Sequence, residues 1–230
     1  MATINYIWNY FKNKIGNEYG VAGLMGNLQA ESGLHPDRVQ GDIPYSSYSI
    51  EYTEQVDNGT ISEYDFVHNG PNGGGYGLAQ WTFWSRKQAL YDMYKSGSYS
   101  SIGSVQLACD YLWYELQHSY PTVLNVLKTA TSVRQASDVV LHDFENPADQ
   151  STSVEELREG LGLAIYNELT GTSGNEGSGD GGEGGGGSGD SDTDPDTPSS
   201  PTATRNKRNK YKFVIFAKAR RNQLWKNKNF

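Results

Sequence analysis

The chain has a single cysteine, Cys109, in 230 residues. No disulfide within the chain is available to hold a fold together. Its neighbours Leu107, Ala108 and Leu112 make the thiol a small buried hydrophobe rather than a nucleophile. Long apolar runs are missing too, and nothing approaches the roughly 18 apolar residues of a membrane span. The start, Met1-Ala-Thr-Ile-Asn-Tyr-Ile-Trp, lacks the basic and then apolar segments of a classical signal peptide. A target outside the membrane would therefore need another delivery route. The four histidines, His35, His68, His118 and His142, have no HxxxH or Cys/His ligand spacing, so no metal or other cofactor is implied. No G-x-S-x-G elbow supports Ser-His-Asp chemistry. No GxGxxG or GK[ST] is completed for a nucleotide.

A hydrophobic fraction of 36% suffices for one modest core. Sixteen tyrosines and five tryptophans suit a groove that stacks on sugar rings, and equally suit partly buried positions. Charge falls into three blocks. Residues 1–170 carry 9 basic and 20 acidic groups, and 171–204 carry 7 acidic groups and no basic one. Residues 205–230 carry 10 basic groups and no acid. The middle block holds 11 glycines with Ser, Thr, Asp and Pro, and reads as a disordered acidic linker. The last block, with its β-prone Phe213–Phe216 stretch, reads as a basic tail. It suits teichoic acid or an anionic surface, or a docking strand, or a plain disordered end. Aromatic interleaving is too thin for nucleic acid to be expected.

The first block is mostly helical in pattern. Ile4, Ile7, Trp8 and Phe11 share a helical face behind Thr3 as a cap. Val21, Leu24, Met25 and Leu28 predict a second helix over about 18–31, stopped by Gly33 and Pro36. Gly20, Gly23 and Gly26 weaken that helix unless another backbone packs close against it. Between 47 and 67, β-prone residues flank Asp57-Asn-Gly and predict a β-hairpin. Helices are expected again over 84–95, 104–118, 121–129, 132–145 and 153–168. Their start signals are Ser85, Ser104, Pro121, Thr131 and a capping box Ser153-x-x-Glu156. The expected class is α+β, a predominantly helical domain with one small hairpin and a groove between hairpin and helices.

Two segments carry candidate chemistry. Glu31 ends the second helix in Gln29-Ala-Glu-Ser-Gly-Leu-His-Pro36, where the helix dipole and Leu34 both oppose ionisation. A carboxylic acid kept protonated near neutral pH is what protonates the leaving oxygen of a glycosidic bond. Further on, Gly73-Gly-Gly-Tyr-Gly-Leu-Ala-Gln-Trp81-Thr offers close backbone approach, the Gln80 amide and the Trp81 ring.

Glu-Ser-Gly-Leu-x-Pro followed by Gly-Tyr-Gly-Leu-Ala-Gln-Trp-Thr resembles the lysozyme-like superfamily of lytic transglycosylases and goose-type lysozymes. Within it the likeness is closest to the phage tail lysozyme family. Further stretches that match are Val21-Ala-Gly-Leu-Met-Gly-Asn-Leu28, Tyr76 through Trp84-Ser-Arg-Lys-Gln88, and Phe144-Glu-Asn-Pro-Ala-Asp149. The resemblance covers about 1–168. It implies a lysozyme-like catalytic domain over 1–170, with Glu31 as general acid cleaving between N-acetylmuramic acid and N-acetylglucosamine. Ser32, Tyr76, Gln80 and Trp81 would bind substrate. Gly77 and Leu78 would shape the groove. Glu145 also matches, and its place at a helix end favours a structural role. Peptidoglycan is the implied partner, with phage tail proteins beside it. A virion tail or release to the cell wall is the expected location. Candidates for a second carboxylate are Glu51, Glu54, Asp57, Glu63 and Asp65. Hydrolysis, lytic transglycosylation and a non-catalytic wall-binding module all remain readings of this pattern.

Overall fold

The structure is a computed structural model that describes residues 2–70 and 74–171. The linker and tail expected beyond 171 lie outside the described residues. The elements run α1 (Ala2–Ile15), α2 (Glu18–Ser32), α3 (Ser47–Asp57), α4 (Glu63–His68) and α5 (Trp84–Ser96). There follow α6 (Val105–His118), α7 (Pro121–Thr129), α8 (Val133–Val139), a π-helical turn (Val140–Glu145) and α9 (Thr152–Thr170).

The organising element is α2, buried on every side from Gly20 to Leu28. A helix apolar all round must be wrapped by others, and its glycines are where the wrapping is tightest. A Cβ on Gly20 would sit 1.9 Å from Leu127 O on α7, and one on Gly23 would sit 2.5 Å from Ala136 Cβ on α8. One on Gly26 would meet Arg158 O of α9 at 2.4 Å. The sequence expectation of close backbones holds three times over, once for each partner helix. Asn17 fixes the helix start: its side chain accepts from Tyr19 N and Gly20 N and donates to Lys128 O and Ala130 O.

The hairpin expected over 47–67 is not there. The segment forms α3 and α4, joined by a turn. Ser46 caps α3 through Tyr48 N, and Ser62 caps α4 through Asp65 N. The inward residues of α3 are Ser49, Tyr52, Thr53 and Val56, spaced i, i+3, i+4, i+7. That is a helical stripe hidden by two small polar members. Asn58-Gly59 ends a helix, with Gly59 at φ +80°, instead of turning a ribbon. Asp42 locks the approach to α3, its carboxylate accepting from the backbone and hydroxyls of Ser46 and Ser49. Among the described residues, antiparallel pairing occurs only as isolated bridges, Tyr76 with Trp81 and Val39 with Tyr76.

Helix starts also differ in detail. Ser104 caps α6 and Pro121 opens α7 as expected, while Ser132, not Thr131, caps α8. Phe83 precedes α5 without a side-chain cap, so Ser85 is not its start. Thr3 lies inside α1. The capping box at Ser153 does not form, because α9 already begins at Thr152. Cys109 is fully buried, and burial pushes its thiol up.

Candidate active site

Glu31 and Asn27 lie one turn apart on α2 and face the same way. Arg158 lies one turn before Gly162, and a Cβ on Gly162 would meet Ala22 O of α2 at 2.7 Å. This close crossing delivers the Arg158 guanidinium to both α2 side chains. It donates through Nη1 to Asn27 Oδ1 at 3.0 Å and through Nη2 to Glu31 Oε1. Asn27 is itself oriented by donating to Gly23 O, Ser137 O and Ser137 Oγ. The Arg158 side chain is 5% exposed and that of Glu31 is 23% exposed, so the acid reaches solvent while its cation does not. The sequence places Glu31 against peptide carbonyls and Leu34. The structure adds an ion-pair partner 127 residues away.

A second carboxyl completes the cluster. The π turn widens the helix after α8, closing with Asn146 N donating to Leu141 O, and places consecutive Phe144 and Glu145 side chains inward. Glu145 Oε1 is out of solvent and has no hydrogen-bond partner, although the residue as a whole keeps some exposure. Burial pushes the Glu145 carboxyl well above the usual carboxylate range. The Glu31 charge pushes the same way, against the pull of Arg158 and Arg86. The sequence expectation of a purely structural Glu145 therefore overlooks a titratable neighbour of Glu31.

Next to this cluster, Arg86 of α5 donates to Glu115 of α6 through Nε (2.6 Å) and Nη2 (2.8 Å). Its guanidinium lies 4.9 Å from the Phe144 ring centre. Trp81 joins the same carboxylate, Nε1 to Glu115 Oε2 at 2.8 Å.

The Gly-rich segment is tied to the end of α2, at Ser32, through Arg38. Arg38 donates from Nη1 to Ser32 O and from Nη2 to Asp42 O, while its own carbonyl accepts from Gly77 N and Gln80 Nε2. Leu34 (φ +62°), Gln80 (φ +47°) and Asn146 (φ +43°) are the non-glycine residues at positive φ among those described. One follows Glu31, one lies in the Gly-rich loop and one follows Glu145. Strained backbone of this kind costs about 1–3 kcal/mol per residue and gathers at functional sites.

Most of the residues expected to bind substrate do not face a groove. Trp81 and Tyr76 are fully buried, the first bonded to Glu115 and the second to Thr53. Ser32 is also buried, its hydroxyl donating back to Leu28 O. These three are corrected from contacts to scaffold: their polar atoms are spent inside, and no ring face is left for a sugar. Gln80 alone keeps part of its surface. Leu78 is buried, consistent with shaping the loop. Of the second-carboxylate candidates, Asp57 accepts from Ile102 N, and Asp65 is bonded to Ser62 and Asn69.

The exposed rings lie one step further along the chain. Phe83 is 72% and Trp84 60% exposed. Trp84 borders an open hollow of about 460 Å³, lined also by His68, Asn69, Gly74, Thr82 and Lys87. Phe83 and Trp84 stand side by side at the start of α5, and both are open to solvent.

Trp81→Phe is expected to lose about 1.5–3 kcal/mol, the worth of a hydrogen bond to a charged group. Activity of the folded variant should stay within a few-fold. Thermal melting with a lysis assay checks this, and a large loss of activity without destabilisation would restore Trp81 to the groove.

Comparison with known proteins finds a family model described as phage tail lysozyme, matching residues 2–169. No curated protein matches the chain. No solved structure matches it either.

Proposed function

The chain belongs to the phage tail lysozyme family, and from that premise we propose that it is a peptidoglycan-lytic enzyme with Glu31 as general acid. The observation that carries this reading is the pairing of carboxyls. Glu31 reaches solvent at the end of α2, and its charge adds to the burial that holds the Glu145 carboxyl above the usual carboxylate range. A residue at positive φ follows each of them, Leu34 after Glu31 and Asn146 after Glu145. Paired carboxyls with separated protonation are how glycosidases divide acid and base work. The bond cut is the one between N-acetylmuramic acid and N-acetylglucosamine. Gln80 and the exposed Trp84 contact the glycan in place of Trp81 and Tyr76, since a neutral sugar face stacks on an open indole.

In this reading residues 1–170 are the lytic domain, followed by an acidic linker and a basic tail. Delivery with a virion tail brings the domain to the wall. Of the two outcomes, hydrolysis is the reading preferred over transglycosylation.

The test is to digest purified peptidoglycan with the full chain and to identify the released ends by mass spectrometry. Reducing N-acetylmuramic acid ends are expected. Anhydro ends would replace hydrolysis by transglycosylation. No release at all would overturn the proposal and leave a non-catalytic wall-binding module.

A further inference from the structure

Two buried polar atoms at the Glu31 cluster lack a hydrogen bond, and they are complementary. Arg158 Nε is a donor without an acceptor, and Glu145 Oε1 is an acceptor without a donor. A buried orphan of either kind costs about 1–3 kcal/mol, and Arg158 and Glu145 also attract each other, so a second arrangement that pairs the two orphans would recover both costs. The groups in play come from every element around the π turn. They are Glu31 of α2, Arg86 of α5, Glu115 of α6 and Arg158 of α9. Tyr120, which precedes α7, meets the Phe144 ring edge-on, and α8 brings Arg134 and Asp138, which pair with each other. Arg86 is held by Glu115. Arg158, bonded to Glu31 and attracting Glu145, is the cation shared between the two carboxyls.

We infer that Glu145 is a positioning residue that stores the proton Glu31 delivers, with Arg158 turning from Glu31 to Glu145 as that proton crosses. In the resting arrangement Glu31 is the carboxylate, Arg158 its counter-ion and Glu145 the neutral acid. In the reactive one the proton sits on Glu31, Glu145 is the carboxylate, and Arg158 Nε meets Glu145 Oε1. One O–H bond breaks on Glu145 and one forms on Glu31, and the net charge of the three groups stays at zero. Both orphan atoms are satisfied by the move. A carboxylate clamped by a guanidinium cannot protonate a leaving group, so the exchange is what arms the acid. This rests on Glu31 being the acid of the proposed function. It adds a control over when that acid is loaded.

The experiment compares full-length wild type, Glu145→Gln and Glu145→Asp on purified peptidoglycan across pH. The amide of Glu145→Gln can neither surrender a proton nor pair with the cation as a carboxylate. The expected result is a loss in kcat of about 10²-fold, the usual worth of a positioned proton donor, with KM little changed. The alkaline limb of the pH profile should move to lower pH, because Glu31 is left with Arg158 and no proton store. Glu145→Asp should restore part of the limb.

Stability should report the same group. Its folded value is raised, so its contribution is whole at acid pH and lost as pH rises through that value. Glu145→Gln should therefore gain on wild type in melting temperature as pH rises.

A folded Glu145→Gln with unchanged kcat and an unmoved limb overturns the inference. If that variant fails to fold, carboxyl-carbon NMR of wild type decides instead. Glu145 titrating above neutrality supports proton storage, and titration in the ordinary carboxylate range overturns it. Wild type that releases nothing sinks the proposed function and this inference with it, whereas lysis by wild type beside an unchanged Glu145→Gln sinks the inference alone.

Discussion

Replacing Arg158 by alanine is expected to cost the folded domain about 3–5 kcal/mol, the usual penalty for removing one partner of a buried ion pair. The side chain is almost wholly enclosed and serves two α2 groups at once. Its loss strands Glu31, leaves Asn27 Oδ1 without its donor, and removes one of the two cations that oppose the upward push on Glu145. For a domain of this size the loss translates to a fall in melting temperature on the order of 10 °C. Arg158→Lys should recover only part of it. An ammonium is a point charge and cannot hold Asn27 and Glu31 through separate nitrogens as the planar fork does. Melting curves at neutral pH check both variants, and an alanine variant as stable as wild type would show that the α2–α9 crossing holds without the pair.

Glu31→Gln is expected to reduce release of glycan fragments by 10²–10⁴-fold, on the order of what general acid catalysis contributes. The fold should survive. The glutamine carbonyl still accepts from Arg158, and losing the Glu31 charge removes one of the forces keeping Glu145 neutral. Glu145 then takes over as counter-ion, and the cluster remains balanced. Circular dichroism and melting should match wild type closely while turbidity clearing of walls disappears. Full activity in the folded variant would remove Glu31 from the chemistry.

Much of this molecule is legible in its residues, and the failures have identifiable causes. The apolar period gives α2 to within a residue, and Gly20, Gly23 and Gly26 announce close-packed neighbours because a helix interior tolerates glycine poorly without such a reason. Glu31 and the Gly-rich loop read as parts of one site, and Arg38 ties the loop to the end of α2 at Ser32.

The α3–α4 segment misleads because its inward stripe includes Ser49 and Thr53, polar in composition but buried by bonding to Val39 N and to the Tyr76 hydroxyl. Trp81 misleads differently. An indole in a loop rich in glycine looks like a stacking platform until Glu115, 34 residues on, is found accepting its N–H. Nothing local marks Arg158. On α9 it reads as one more charged residue on a solvated face, and only the Gly26–Gly162 crossing brings it inside. Glu145 is hidden by the π turn, an irregularity that no simple period foretells.

If Glu31 is the acid, its carboxyl must meet the glycosidic oxygen. A crystal structure of Glu31→Gln with an oligosaccharide of alternating N-acetylglucosamine and N-acetylmuramic acid should show this, with a bridging oxygen about 2.6–3.2 Å from the residue 31 amide, within proton-transfer reach. An oligosaccharide seated on another face, with residue 31 still turned to Arg158 and no sugar near it, would contradict it.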